Sequence, residues 1–106
     1  KGPKPKIVSK KAEHDFGTIK EGDVVTHRFS FSNLGEAPLK IFDLNTSCGC
    51  TASKPQMKEV KPGQESYIEV TFDSSRKPGM QDKFVEVYTN DPENSPLKLR
   101  IKAQVK

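Results

Sequence analysis

The chain has 106 residues, 32% of them hydrophobic, with two cysteines, no tryptophan and a formal net charge of +4. That length suits one domain around one thin core; no apolar run approaches the ~18 residues of a membrane-spanning helix, and two cysteines are too few for the disulfide framework of a small secreted fold. The charge rests on 15 lysines against 3 arginines, without the clustered arginines and interleaved aromatics that stack bases, so nucleic acid is not an expected partner.

Residues 1–11 open on KGPKPK and end on Lys10-Lys11. Prolines and isolated lysines without apolar partners predict a flexible basic N-terminal tail, in which only Ile7–Ser9 has the makings of a strand. The chain begins at a lysine rather than a methionine, as either a trimmed chain or a mature, processed protein that has lost an export signal would. From residue 12 to 106 the pattern predicts one β-domain. A short strand is expected near Ala12–Phe16. In VVTHRFSFSN, Val25, His27, Phe29 and Phe31 share a face opposite Val24, Thr26, Arg28 and Ser30, the period of two of a half-buried strand.

A further strand is expected over Leu39–Leu44. In SYIEVTFD, Ile68, Val70 and Phe72 alternate with Tyr67, Glu69 and Thr71. In KFVEVYTN the buried face is ambiguous, since Phe84/Tyr88 and Val85/Val87 both carry apolar weight. The closing LKLRIKAQV alternates without interruption. Asn33-Leu34-Gly35, Lys61-Pro62-Gly63, Lys77-Pro78-Gly79 and Asn90-Asp91-Pro92 punctuate these runs as turns. About seven short strands and no helical periodicity predict an all-β antiparallel β-sandwich.

The order DFGTIKEGD, HRFSFSNLG, PLKI, SCGCT, KPG, IEVTFD resembles a family of bacterial, often exported, Ig-like domains of unknown function, number fifteen seventy-three in that series. That family is similar in architecture to the Hydin-type and major-sperm-protein-like sandwiches. The resemblance runs from about Glu13 to Val105. It implies a seven-stranded Ig-like fold, a periplasmic or extracellular location and, by analogy with related sandwiches, a non-enzymatic role in binding or scaffolding with another protein as partner. It implies no activity.

Both cysteines lie in NTSCGCTAS with only Gly49 between them. Residues i and i+2 of a strand point to one side, and Gly49 could instead fold the pair into a tight turn through a positive φ. Three readings stand. The thiols are small buried residues at a strand start. Or Cys48 and Cys50 bind a soft metal, with His27 as third ligand and His14, Met57 and Met80 as other candidates. Copper(I) then ranks ahead of zinc, because copper(I) needs few ligands and thiolates suit it, whereas a Cys-x-Cys spacing is shorter than the usual zinc pair. Or the pair is a redox dithiol, since a bridge across one residue would be labile. His27 also fits a satisfied core histidine. No nucleophile elbow, phosphate-binding loop or HExxH is present, so no enzyme class is expected. Asn45-Thr46-Ser47 matches the N-glycosylation pattern.

Overall fold

In the computed structural model, which describes residues 2–106, nine strands and no helix form two sheets packed face to face. The strands are β1 (Ile7–Ser9), β2 (Glu13–Ile19), β3 (Val24–Asn33), β4 (Leu39–Thr46), β5 (Thr51–Pro55), β6 (Glu59–Val60), β7 (Glu65–Asp73), β8 (Gly79–Thr89) and β9 (Leu97–Val105). One sheet runs β1-β3-β7-β5 and the other β2-β9-β8-β4-β6.

The Ig-like sandwich read from the sequence is present, with nine strands rather than seven. β5 (TASKP) and β6 (EV) carry too few apolar residues for periodicity to reveal them. Their pairing partners, β7 and β4, define them instead. The sandwich is also not wholly antiparallel: β2 runs parallel to β9. The reason is that the chain changes sheets between β1 and β2 without reversing direction.

Residues 7–9, expected within a flexible tail, are an edge strand. Ile7, Val8 and Ser9 pair with Asn33, Ser32 and Phe31, and Ile7 is 3% exposed. Further up the chain, Leu34 N–H donates to the Lys6 carbonyl and Glu36 N–H to that of Lys4. Gly35 makes this approach possible. A Cβ there would lie 2.6 Å from both the Lys6 nitrogen and the Pro5 carbonyl carbon, and closer still to the Lys4 oxygen, a clash with backbone that no rotamer relieves.

Between the sheets, Phe29, Phe31, Ile68, Val70 and Phe72 face Leu39, Val60, Val85, Val87, Leu99, Ile101 and Val105, all buried. The ambiguous strand resolves through its register. Val85 and Val87 lie opposite Leu99 and Leu97, and they point inward; Phe84 and Tyr88 point out. The outer face gains what it lacks in burial from cross-strand pairs: Arg100 forks onto Asp82 at 2.6–2.7 Å, Lys102 pairs with Glu13, and the Lys98 ammonium sits over the Phe84 ring. Such exposed pairs contribute little to stability individually, about 0.2–1 kcal/mol each.

Candidate functional site

Residues 47–50 carry the chain from β4 in one sheet to β5 in the other, so SCG C is the crossover turn at one end of the sandwich. Both flanks are clamped. Ser47 N–H donates to the Phe84 carbonyl while Phe84 N–H donates to Ser47 Oγ, each at 3.0 Å. On the other sheet Asp73 N–H donates to the Cys50 carbonyl at 2.9 Å. Within the turn, Thr51 N–H and Thr46 Oγ1 both donate to the Cys48 carbonyl.

Cys48 and Cys50 are joined as a disulfide, their Cα atoms 5.2 Å apart. Both are half-buried, and Cys50 leans on the core. Gly49 is not among the glycines with positive φ, and nothing lies within 4 Å of where its Cβ would be. The turn therefore does not need glycine's left-handed conformation, contrary to one of the two routes expected from sequence. Because no cysteine among the described residues is free, the bonded form offers no thiolate to a metal.

The ligand set written from sequence is not brought together. Thr51, Phe72 and Val25 lie abreast on β5, β7 and β3, which places His27 two strands across and three residues along from Cys50, about 14 Å between Cα positions at ordinary strand spacings. Met57 packs against the core beyond the far end of β5. Met80 projects from β8 and is 70% exposed. Among the described residues, no three His, Cys, Asp or Glu side chains gather in a metal-holding group.

The two histidines meet each other instead. His14 on β2 and His27 on β3 close the opposite seam of the sandwich, their rings stacked with centroids 3.7 Å apart and planes 8° from parallel. Phe16 and Phe29 meet them edge-on from the two sheets, at 4.7 and 4.6 Å. Stacked rings direct their nitrogen lone pairs in parallel planes, so this is a packing arrangement rather than a chelate. Periodicity placed His27 on the Phe29 face correctly. The encounter with His14 required knowing that β2 belongs to the other sheet and faces β3.

Burial, the neighbouring His14 and the charge of Lys11 hold His27 below its ordinary pKa of 6.5. As pH falls, the unfolded chain therefore takes up this proton before the folded one. Stability from this site is full above about 6.5 and declines with acidification between the two values. Melting temperature is expected to drop between pH 7 and 5.5 in the native chain and to stay nearly level over that interval in His27→Gln. Equal slopes would show that His27 is not the responsible group.

The double variant Cys48→Ser/Cys50→Ser is expected to keep the fold. A three-residue loop constrains the unfolded chain little, so its loss costs about 1.5 kcal/mol, and the clamps on Ser47 and Cys50 involve main chain and hydroxyl rather than sulfur. Circular dichroism and thermal unfolding check this; global unfolding would show that the sulfurs are packing elements of the core.

No match to a curated protein was found. Among solved structures, the chain is similar to a protein of unknown function from Porphyromonas gingivalis W83, with TM-score 0.81, 18% identity and coverage of 96% of this chain and 46% of that one. It is similar to the ASH/PapD-like domain 7 of human CEP192, with TM-score 0.78, 15% identity and coverage of 100% and 89%. It also resembles the periplasmic chaperone SfaE, with TM-score 0.60, 7% identity and coverage of 95% and 58%. The chain thus spans about half the length of the first of these, and at such identities the likeness is one of fold. The family model described as "Protein of unknown function (DUF1573)" matches residues 7–105, and the chain belongs to that family.

Proposed function

We propose that this chain is a non-enzymatic Ig-like binding or scaffolding module acting in the periplasm or outside the cell, with another protein as its partner. The observation that supports the binding reading is the form of the surface. Flat sheet faces, knitted by cross-strand pairs, end in strand edges, while the cysteines and the histidines sit on opposite seams rather than converging on one concavity. One depression, about 610 Å³, is lined by Lys11, Ala12, Glu13, Asp15, Lys98 and Arg100. There Glu13 and Arg100 are already engaged by Lys102 and Asp82. Sheet edges and faces suit recognition by strand addition or docking. The bonded Cys48–Cys50 pair supports an oxidising compartment, as does the likeness in fold to a periplasmic chaperone.

Phe42, on the β4 bulge and 66% exposed, is the natural reporter. A photo-crosslinking residue placed there in the exported protein, in its native host, is expected to trap one protein of defined mass. Absence of any adduct, with the protein correctly exported, would overturn the reading.

The bonded pair favours a second reading, a thiol-active turn. A dithiol donor would supply two electrons and two protons, leaving Cys48 and Cys50 as thiols and itself oxidised to a disulfide. The reduced pair would then offer two sulfurs two residues apart, a set that suits copper(I) ahead of zinc. Native mass spectrometry of the reduced protein with copper(I) or zinc(II) tests this. Retained metal that is lost in Cys48→Ser/Cys50→Ser supports the reading; an apo mass with both ions sinks it.

A further inference from the structure

The two sulfurs of the Cys48–Cys50 bridge do not have equal surroundings. Cys48 Sγ accepts the Cys50 N–H at 3.1 Å, as a side chain does when it caps the turn that it begins. Cys50 Sγ has instead the Thr51 hydroxyl, farther off at 3.8 Å. A main-chain N–H aimed at a sulfur favours its thiolate over its thiol, because a hydrogen bond to the charged form stabilises it. Once the bridge is open, Cys48 is therefore the sulfur that carries negative charge more readily.

Access differs in the same sense. An incoming thiolate approaches in line with the bond it breaks, from behind the sulfur it attacks, so access decides which sulfur reacts. Cys50 packs against the core, which fills the space behind its sulfur. Cys48 is half-buried without being packed there, and its neighbours Ser47 and Gly49 are exposed. Nothing lies within 4 Å of where a Gly49 Cβ would stand. The open side of the turn is the Cys48 side.

The frame that positions both sulfurs is made of main chain and hydroxyl groups. Ser47 and Phe84 exchange hydrogen bonds, Asp73 N–H donates to the Cys50 carbonyl, and Thr51 N–H donates to the Cys48 carbonyl. None of these is lost when the bridge opens, so the sulfurs stay within reach of each other and the bridge can close again.

We infer that Cys48 is the exchanging sulfur, the one that forms a mixed disulfide with an external thiol or disulfide, and that Cys50 resolves it. This rests on the thiol-active reading and deepens it by assigning the two roles. In the reduced chain the Cys48 thiolate attacks one sulfur of an external disulfide RS–SR. That bond breaks, a Cys48–S–SR bond forms, and RS⁻ leaves. Cys50 then attacks Cys48 Sγ, restores the bridge and expels the second RS⁻. The two cysteine protons end on the two RS⁻ groups, and two electrons pass from the chain to the external disulfide. Opening by external thiols is the same path reversed, with attack on Cys48 and departure of Cys50.

The test compares Cys50→Ser with Cys48→Ser, each of which keeps one thiol and the residue-50 N–H. Both are exposed to oxidised glutathione at pH 7, and the adduct is followed by intact mass. Cys50→Ser is expected to form it about tenfold faster than Cys48→Ser. Equal rates, or a faster Cys48→Ser, overturn the assignment. Should either variant not fold, the reduced native chain decides. A limiting amount of iodoacetamide, located by peptide fragmentation, is expected to label Cys48 ahead of Cys50; equal labelling, or more at Cys50, overturns the assignment.

The native chain separates this inference from the reading beneath it. Reduced, it is expected to close its bridge with oxidised glutathione and release two glutathione thiols. Failure to close, together with failure to open in reduced glutathione, sinks the thiol-active reading itself. Exchange in the native chain with no asymmetry between the variants sinks the assignment alone. An unfolded peptide carrying a disulfide, used in place of glutathione, distinguishes polypeptide from small-molecule sulfur as the faster partner. The preference for Cys48 is expected with both, and its loss with either overturns the assignment.

Discussion

Asn33→Ala is expected to destabilise the protein by about 4 kcal/mol, since each buried group left without its partner costs about 1–3 kcal/mol. Asn33 is fully buried at the end of β3. Its Oδ1 accepts from Lys6 N–H at 3.1 Å and Gly35 N–H at 3.0 Å, and its Nδ2 donates to the Ala37 and Val60 carbonyls at 2.8 and 2.9 Å. One side chain thus ties together the N-terminal segment, the β3–β4 turn and the short strand β6. Truncation orphans two N–H groups and two carbonyls in places water reaches poorly. For a domain of this size the melting temperature should fall by roughly 15–30 °C. Asn33→Leu separates the causes. If the hydrogen bonds matter, leucine is no better than alanine; recovery of stability by leucine would assign the effect to packing volume.

Asp91→Ala is expected to cost about 3 kcal/mol, within the range for losing charge-assisted hydrogen bonds and leaving a buried donor unmet. The carboxylate is 3% exposed and lies in the turn after β8. Oδ2 accepts from Ile7 N–H at 2.9 Å, across the sandwich from its own strand, and Oδ1 accepts from Glu93 N–H at 2.8 Å and Asn94 N–H at 3.2 Å. Burial alone would raise its pKa, but these N–H donors outweigh it and hold the group below its ordinary 3.8.

A depressed carboxylate stabilises the fold above its unfolded value and loses that contribution as pH falls through the folded one. Asp91 should therefore stay ionised to a lower pH in the folded protein than in the unfolded chain. The distinctive readout of Asp91→Ala is local. Amide exchange at Ile7 and Val8 should quicken well before that of β8 and β9, because β1 is a short edge strand held largely by this group. Uniform loss of protection across both sheets would show that Asp91 supports the global fold rather than the docking of β1.

These two residues mark where reading a sequence stops. Asn33 stands in a turn-forming Asn-Leu-Gly and Asp91 in Asn-Asp-Pro, and local chemistry accounts for both as turn formers. What each binds beyond its turn lies 27 and 84 residues away in the chain, a separation no local pattern encodes. The same limit explains the N-terminal segment. Composition makes residues 1–11 a tail, yet Ile7 is buried because Asp91, Asn33 and the bare backbone at Gly35 receive it.

The alternation of apolar and polar residues was enough to specify the all-β sandwich, the inward faces of β3, β7 and β9, and the position of His27 beside Phe29. A period of two is a property of the strand itself, and burial of one face follows from it. Only tertiary packing decided which strands are neighbours, that β2 runs parallel to β9, and that SCG C is the turn between sheets, with its sulfurs about 14 Å from His27 by strand spacing. It also decided that His14 rather than Cys48 is the companion of His27. Each of these depends on strand order, and strand order is set by contacts between segments distant in the chain, which the amino acids of any one segment cannot announce.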